Sequence, residues 1–446
     1  MTQTAAPPVP ASAPDPGPAG ARRIVPAAAT PARTSRRARL RASMARTPGR
    51  MRIALAVSVL AAIAFGLLGF QAASVQARAL TAAEHDTSQL VDIQEARNTL
   101  VVADAIATNA FLVGGLEPTA QRERFDEAVL AATTLLTELA GRNAADSPEL
   151  ATAQAGLSDY VRLVEQARAN NRQGFPVGSA YLDQASTTLR DETLPALDGL
   201  VVANADRVAT DFAGVRNALW ILAAGLLALA VLVLVQVWLA RRTHRVLNVG
   251  LVAASAVVLV IGIGGAVVLG QASSTANAVR AGPYAATLAS SQAYSLANDA
   301  KSMESFTLIK RGSGQAYEEE FVASVTEAGE RLDTAAAEGV IGDESSRALD
   351  EWVAQHELIR ELDDGGDWDG AVALAIGDDA DSPNAAFDAF SAQVRDDIAQ
   401  STTQTQDRLS SAQGLSAVSA WLLLLAGGAA ALLAWRGMSA RLEEYR

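Results

Sequence analysis

Not one of the 446 residues is cysteine. Disulfides, thiol nucleophiles and cysteine-ligated zinc are therefore excluded, and any folded part must be held by core packing alone. Histidine is almost as scarce: His85, His244 and His356 stand alone, with no second histidine three or four residues away. A metal site of paired imidazoles is not expected, and no cofactor is anticipated. The only lysines are Lys301 and Lys310, and no glycine-rich loop precedes either in the pattern that cradles phosphate. Kinase and ATPase chemistry is excluded on that ground, no catalytic residue can be nominated, and a non-enzyme is expected. A net charge of −13 offers nothing to nucleic acid.

What is present occurs twice. An apolar stretch of membrane length precedes a long polar one, and a second apolar stretch follows. The apolar stretches are residues 53–70, 218–239, 246–269 and 416–435, and none contains a charged side chain. Each is near the ~20 residues that a helix needs to cross a bilayer. Their lack of acids and bases disfavours an ion-coupled transporter.

Basic residues set the expected orientation. Ten arginines lie in the first 52 residues against one acid, Asp15. Arg241, Arg242 and Arg245 occupy the short middle loop, and Arg436, Arg441 and Arg446 the tail. The long polar regions hold 20 acids to 11 bases and 26 to 9. Positive residues stay inside, so both termini and the loop are expected in the cytoplasm and both long regions outside, with the chain in the plasma membrane. The expected layout is a basic cytoplasmic tail (1–50), a first membrane helix (51–74), an outer bundle (75–216), a second membrane helix (217–240) and a loop (241–245). The second half repeats it: membrane helix (246–270), outer bundle (271–415), membrane helix (416–435), tail (436–446).

The fold expected is all-α: four transmembrane helices with two tandem extracytoplasmic four-helix bundles and a disordered N-terminal tail. The outer regions are rich in Ala, Leu, Glu, Gln and Arg and lack alternating β-branched runs. Glycine and proline clusters cut each into four helices, with Pro195 interrupting the fourth helix of the first half. The first and fourth helices of each half are expected to run unbroken into the membrane. Matches between the halves favour a tandem duplication: Gln71-Ala72-Ala73-Ser74 with Gln271-Ala272-Ser273-Ser274, Asp104 with Asp299, and Phe111 with Phe306.

Candidate functional residues fall in four places. Asp104 and Asp299 sit on apolar stripes, where a carboxylate is a partly exposed acid, a buried polar register device, or a buried pH- or ligand-responsive acid, with Arg97 a potential partner of the first. The run Asp363 to Asp369 lacks the spacing of a calcium loop, and Asp367 is expected to cap a helix beginning near Trp368. Arg36, Arg37, Arg39, Arg41, Arg241, Arg242 and Arg245 form the basic cytoplasmic output, suited to anionic lipid and, in the tail, to phosphorylation nearby. Finally, Asn171, Arg172, Gln173, Gly174, Pro176, Gly178 and Tyr181 lie in an ordered turn between the third and fourth helices. That turn is expected at the membrane-proximal end, either as a packed junction or as a docking surface.

This turn, Asn171-Arg172-Gln173-Gly174-Phe175-Pro176-Val177-Gly178 with Ala180-Tyr181-Leu182 and Leu194-Pro195-Ala196, resembles a stretch in actinobacterial four-pass membrane proteins of the GlnX type. The resemblance implies a sensor that works with a periplasmic amino-acid-binding lipoprotein and a soluble Ser/Thr protein kinase. Each outer region is also similar to the four-helix sensor domain of chemoreceptors. The function expected is a non-enzymatic transmembrane signal transducer with membrane lipid, lipoprotein and kinase as partners, and a homodimer as a further expectation. The alternatives are an envelope scaffold without ligand response and a direct chemoreceptor-like sensor of a small molecule.

Overall fold

The computed structural model describes residues 47–113, 117–243, 248–337 and 339–443, and every regular element among them is helical. Ile53–Arg446 forms one compact unit that carries the packed architecture. The first half comprises α1 (Thr47–Val113), α2 (Thr119–Arg142), α3 (Ser147–Arg172), α4 (Val177–Thr188) and α5 (Leu194–Thr243). The second comprises α6 (Val249–Ala281), α7 (Pro283–Ile309), α8 (Gln315–Ala337), α9 (Glu344–Asp364), α10 (Trp368–Ala375) and α11 (Pro383–Glu443).

Among the described residues four helical stretches, containing the apolar parts of α1, α5, α6 and α11, are long and apolar enough to cross a membrane. Their apolar parts pack together around Ala62, Phe65, Leu222, Leu232, Val258, Leu423 and Ala430. Leu60, Leu67, Leu227, Leu234, Val260, Leu425 and Leu432 instead point outward, each more than 40% exposed. So large an apolar surface would be unfavourable in water and is what hydrocarbon requires. Trp220 and Trp421 stand at one end of this layer and Trp435 at the other, all exposed, in the places where indole rings meet headgroups.

Glycine lets the membrane helices touch backbone to backbone. A Cβ on Gly427 of α11 would lie 2.4 Å from Gly66 Cα on α1, and one on Gly250 of α6 would lie 2.5 Å from Gly437 Cα on α11. Asn248 secures the second crossing. Its side-chain oxygen accepts from Gly250 N–H (3.1 Å) and Leu251 N–H (3.3 Å), capping α6, while its amide donates to Gly437 O at 2.9 Å.

Where the four helices leave the apolar layer, Gln76 of α1 joins them. The two hydrogens of its amide nitrogen are shared among three acceptors, Val215 O on α5 (3.2 Å) and Leu269 O (2.9 Å) and Ser273 Oγ (3.1 Å) on α6. Its oxygen accepts from Ser416 Oγ on α11 at 3.2 Å. Beyond this point Leu80, Leu90, Phe212, Val279, Tyr284 and Leu409 extend the four-helix packing as a stalk.

The halves then separate into two bundles that share a long boundary. The first core is built on Phe125, Leu136, Tyr160, Leu182 and Leu197, and Phe306 of α7 inserts into it. The second is built on Met303, Phe321, Trp352, Phe390 and Val394.

Continuity into the membrane holds for α1 and α11 but not for the first helix of the second half. Gly282, with φ −109° and ψ −100°, breaks that helix between α6 and α7, and Pro283 opens the new one because its missing N–H is not needed there. Pro195 does interrupt the last helix of the first half. A π-helical turn at Leu189–Thr193 separates α4 from α5 just before it.

Gln76→Leu is expected to lower the thermal unfolding temperature of the full chain in detergent, each lost bond being worth about 0.6–1.7 kcal/mol in membrane proteins. Gln71→Leu, at an exposed position on the same helix, should leave it nearly unchanged; equal shifts in the two variants would sink the role given to Gln76.

Candidate functional site

The two acids at matching places in the halves, Asp104 and Asp299, face a single arginine. Arg190, in the π-helical turn, points its Nε at Asp299 Oδ1 (2.7 Å) and its Nη2 at Asp104 Oδ2 (3.3 Å). Ser186 of α4 donates to Asp104 Oδ1 at 2.6 Å. Asp104 is buried and Asp299 half-buried, so the arginine bridges the interior of one bundle to the surface of the other. Burial pushes the Asp104 carboxyl above its ordinary value, although Arg190 and Ser186 oppose the shift. Burial first, then the charge on Asp104, hold the Tyr160 phenol well above its usual range.

Proline chemistry explains why Arg190 stands there. Pro195 has no N–H for the carbonyl four residues back, and its ring crowds that carbonyl. The helix widens, and Leu194 N–H reaches Leu189 O, five residues back. The widened turn pushes Thr193 toward α3, where Gly156 leaves room: a Cβ there would lie 2.1 Å from Thr193 Oγ1.

Arg97 is not the partner of Asp104. It pairs with Asp198 at 2.8 Å and donates to Ser295 Oγ across the boundary. Between these two arginine clusters lies a cavity of about 150 Å³, lined also by Val101, Leu194 and Leu296. Further along the boundary Asp183 of α4 accepts from Lys310 Nζ (2.9 Å) and Tyr317 Oη (2.8 Å). Neither Arg190 nor Asp183 stands out in the sequence; Pro195, five residues after Arg190, is the only local signal.

The turn from Asn171 to Tyr181 lies at the end of the bundle far from the apolar layer, not beside it. Asn171 Nδ2 donates to Phe111 O (3.1 Å), at the outer end of α1. Three helices run out, back and out again, which leaves their end distal. Gly174, with φ +69°, closes α3: Phe175 N–H donates to Asn170 O and Gly174 N–H to Asn171 O, each at 2.9 Å. Pro176 then starts α4, and Gly178 fits tightly, since a Cβ would lie 3.0 Å from Ala167 O. Tyr181 packs on the first core. Arg172 and Gln173 are exposed, and Asn171 and Arg172 border a second cavity, of about 190 Å³.

The second half repeats the device. Gly366, with φ +86°, closes α9 as Asp367 N–H donates to Leu362 O (2.9 Å) and Gly366 N–H to Asp363 O (3.0 Å). Asp367 caps α10 by accepting from Gly370 N–H at 3.0 Å, as expected. Trp368 Nε1 donates to Leu308 O (2.9 Å), much as Asn171 does to Phe111.

The second bundle also buries a charge network that no sequence motif announces. His356 Nδ1 meets Glu304 Oε2 at 3.0 Å and its Nε2 meets Glu318 Oε1 at 3.2 Å, while its ring stacks on Phe321. Lys301 pairs with Glu304 on the inner side and Arg360 with Glu318 (3.4 Å) on the outer. Burial alone would raise the Glu304 carboxyl, but Lys301 and His356 outweigh it and bring it down to about 2. Burial would lower the imidazole, but its bonds to both glutamates raise it.

Of the basic output residues, Arg36, Arg37, Arg39, Arg41 and Arg245 lie outside the described residues, as does the side chain of Arg242; Arg241 is exposed at the end of α5.

Residues 79–213 match the family model described as the actinobacterial sensor domain. The first bundle is similar to a sensor domain. The matched segment begins in α1 past its apolar stretch, ends in α5 before the next, and includes Asp104, Arg190 and the distal turn. This similarity, with four helices able to cross a membrane, supports a transmembrane sensor of actinobacterial type. Comparison with curated proteins finds no match, and comparison with solved structures finds none.

Arg190→Met leaves two carboxylates without their cation and should destabilise the chain by about 3–5 kcal/mol at neutral pH. The deficit should shrink as acid protonates the freed carboxyls; a deficit that does not change with pH overturns the bridging role. For the histidine network the signs are opposite at its two ends. Glu304 contributes stability that is present above its ordinary 4.5 and lost as pH falls toward about 2. His356 contributes stability that is present below 6.5 and lost as pH rises through its raised value. Thermal unfolding followed against pH should therefore show an alkaline decline that His356→Gln flattens, and an unaltered decline would dismiss this account.

Proposed function

We propose that the chain is a non-enzymatic transmembrane signal transducer of the plasma membrane, with both termini cytoplasmic and both bundles outside. It relays extracytoplasmic amino-acid availability, presented by a solute-binding lipoprotein docked on the outer bundles, to a cytoplasmic Ser/Thr protein kinase. One observation carries the sensing role. The segment similar to a sensor domain is built on α1 and α5, and both helices continue without a loop into apolar stretches. A helix of 67 residues, such as α1, is about 100 Å long at 1.5 Å per residue. A displacement of the distal bundle is thus available at the membrane end of the same rod.

The lipoprotein and the kinase rest on the resemblance of residues 171–182 to the GlnX type and on the basic flanks. The Arg190 bridge supports a further element of the reading: the two bundles are coupled, so a partner docked on one bears on the other. Arginines at the inner face are the surface that the kinase reads.

In membranes holding the full chain, the lipoprotein and the kinase, photocrosslinks from Arg241 and its neighbours to the kinase should change in yield when amino acid is added. Absence of any kinase crosslink in both conditions would sink the relay. Labelling of cysteines placed at exposed positions in 120–175 and 315–365 should occur from outside intact cells, and protection of either region would overturn the orientation.

A further inference from the structure

We propose that the cavity at the distal end of the first bundle binds a small carboxylate with a short apolar body. At about 190 Å³ the hollow is smaller than the ~300–1,000 Å³ of sites for drug-sized ligands, so its occupant has few heavy atoms. Alanines make the space: Ala107 and Ala110 of α1 and Ala167 of α3 line it, with Phe111, Val164 and Leu182 completing an apolar wall. The charged lining is Arg122, Arg168, Arg172 and Glu117, three guanidiniums to one carboxylate. Glu165 and Asp126, just outside the lining, pair with Arg122 and Arg168 and offset that charge, which leaves Arg172 as the cation whose attraction for an anion the low-dielectric walls strengthen.

The three arginines are not equivalent. Arg168 is buried, pairs with Glu117 (2.8 Å) and Glu165 (2.9 Å), and lies over the Phe125 ring. Arg122 pairs with Glu165 at 2.9 Å. Arg172 borders the cavity with no ion-pair or hydrogen-bond partner among the described residues. Its planar fork of donors matches a carboxylate. Glycines shape the backbone beside it: the Gly174 turn ends α3 just beyond Arg172, and Gly178 brings α4 so close that a Cβ would lie 3.2 Å from Phe111 Cζ.

The equivalent end of the second bundle is filled. There α10 packs Ala371, Val372 and Ala375 against Leu308 and Ile359, and Arg311 stacks over Trp368 at 3.5 Å. The two halves have diverged at this point, and the hollow belongs to the first. The proposal rests on the sensing role above for its purpose, but its chemistry is tested without the relay.

Titration calorimetry of the full chain in detergent, with butyrate as probe, should show binding in the millimolar range, and butylamine, of the same skeleton and opposite charge, should show none. L-2-aminobutyrate should bind at least as well as butyrate, and tighter binding would assign its ammonium to Glu117. Arg172→Gln should weaken butyrate at least about tenfold without altering thermal unfolding, since it removes one charged contact and no partner. Ala110→Leu should fill the hollow and abolish binding, with helicity and unfolding temperature reporting that the chain still folds. No heat with butyrate, or binding of phosphate in its place, overturns the proposal, as does butyrate binding that both variants leave intact. Loss of this site with kinase crosslinks still responsive to the lipoprotein would leave the relay standing and remove only the cavity.

Discussion

The primary amide of Gln76 meets three other helices at the level where the chain passes from apolar layer to outer bundle. Its four contacts fall on three helices: Val215 on the returning helix of the first half, Leu269 and Ser273 on the outgoing helix of the second, Ser416 on the last. An amide buried in such surroundings is costly unless satisfied, and a misplaced α6 would leave its nitrogen short of acceptors. The four rods are therefore set in one register at this point. The stalk above and the glycine crossings below take their alignment from it.

The two halves place several like residues at matching positions, and the matching residues have been put to unlike uses. Asp104 and Asp299 occupy matching places, but a single arginine serves both. Phe111 ends half-buried at a tip, while Phe306 lies fully buried in the core of the other half. One third-to-fourth junction frames a hollow, and the other carries an extra helix that closes it. What would be two independent modules is one body whose halves complete each other.

Much of this is legible in the residues. Long apolar stretches, breaker clusters and the lack of alternating β-branched runs dictate the all-α architecture and the four membrane-length helices. Asp104 is a sound candidate from sequence because a carboxylate on an apolar stripe must find a partner. Its partner is not legible, since Arg190 lies 86 residues away and reaches Asp104 only through a π-helical turn. Arg97 is the wrong choice because a residue seven positions upstream lies about 10 Å along the helix axis. The distal turn is expected at the wrong end through an error of helix parity. The break at Gly282-Pro283 departs from the expected unbroken helix, although both residues are helix breakers. Lys301, Glu304, Glu318 and His356 are ordinary surface letters until three helices bring them together.

The glycine contacts constrain how the membrane helices can move. At Gly66 and Gly427 two backbones touch with no side chain between them, so axial rotation of either helix would drive a Cβ into the other's main chain. Scissoring about the contact keeps the same atoms together. That crossing lies within the apolar layer, with rod extending on both sides, so it has the geometry of a fulcrum. Spreading of α1 from α11 on the bundle side is returned as approach on the other. At its far end α11 is held to α6 by Gly250, Gly437 and Asn248. About such a fulcrum a small opening above would be delivered below as a closing stroke of α1, reversed in sign.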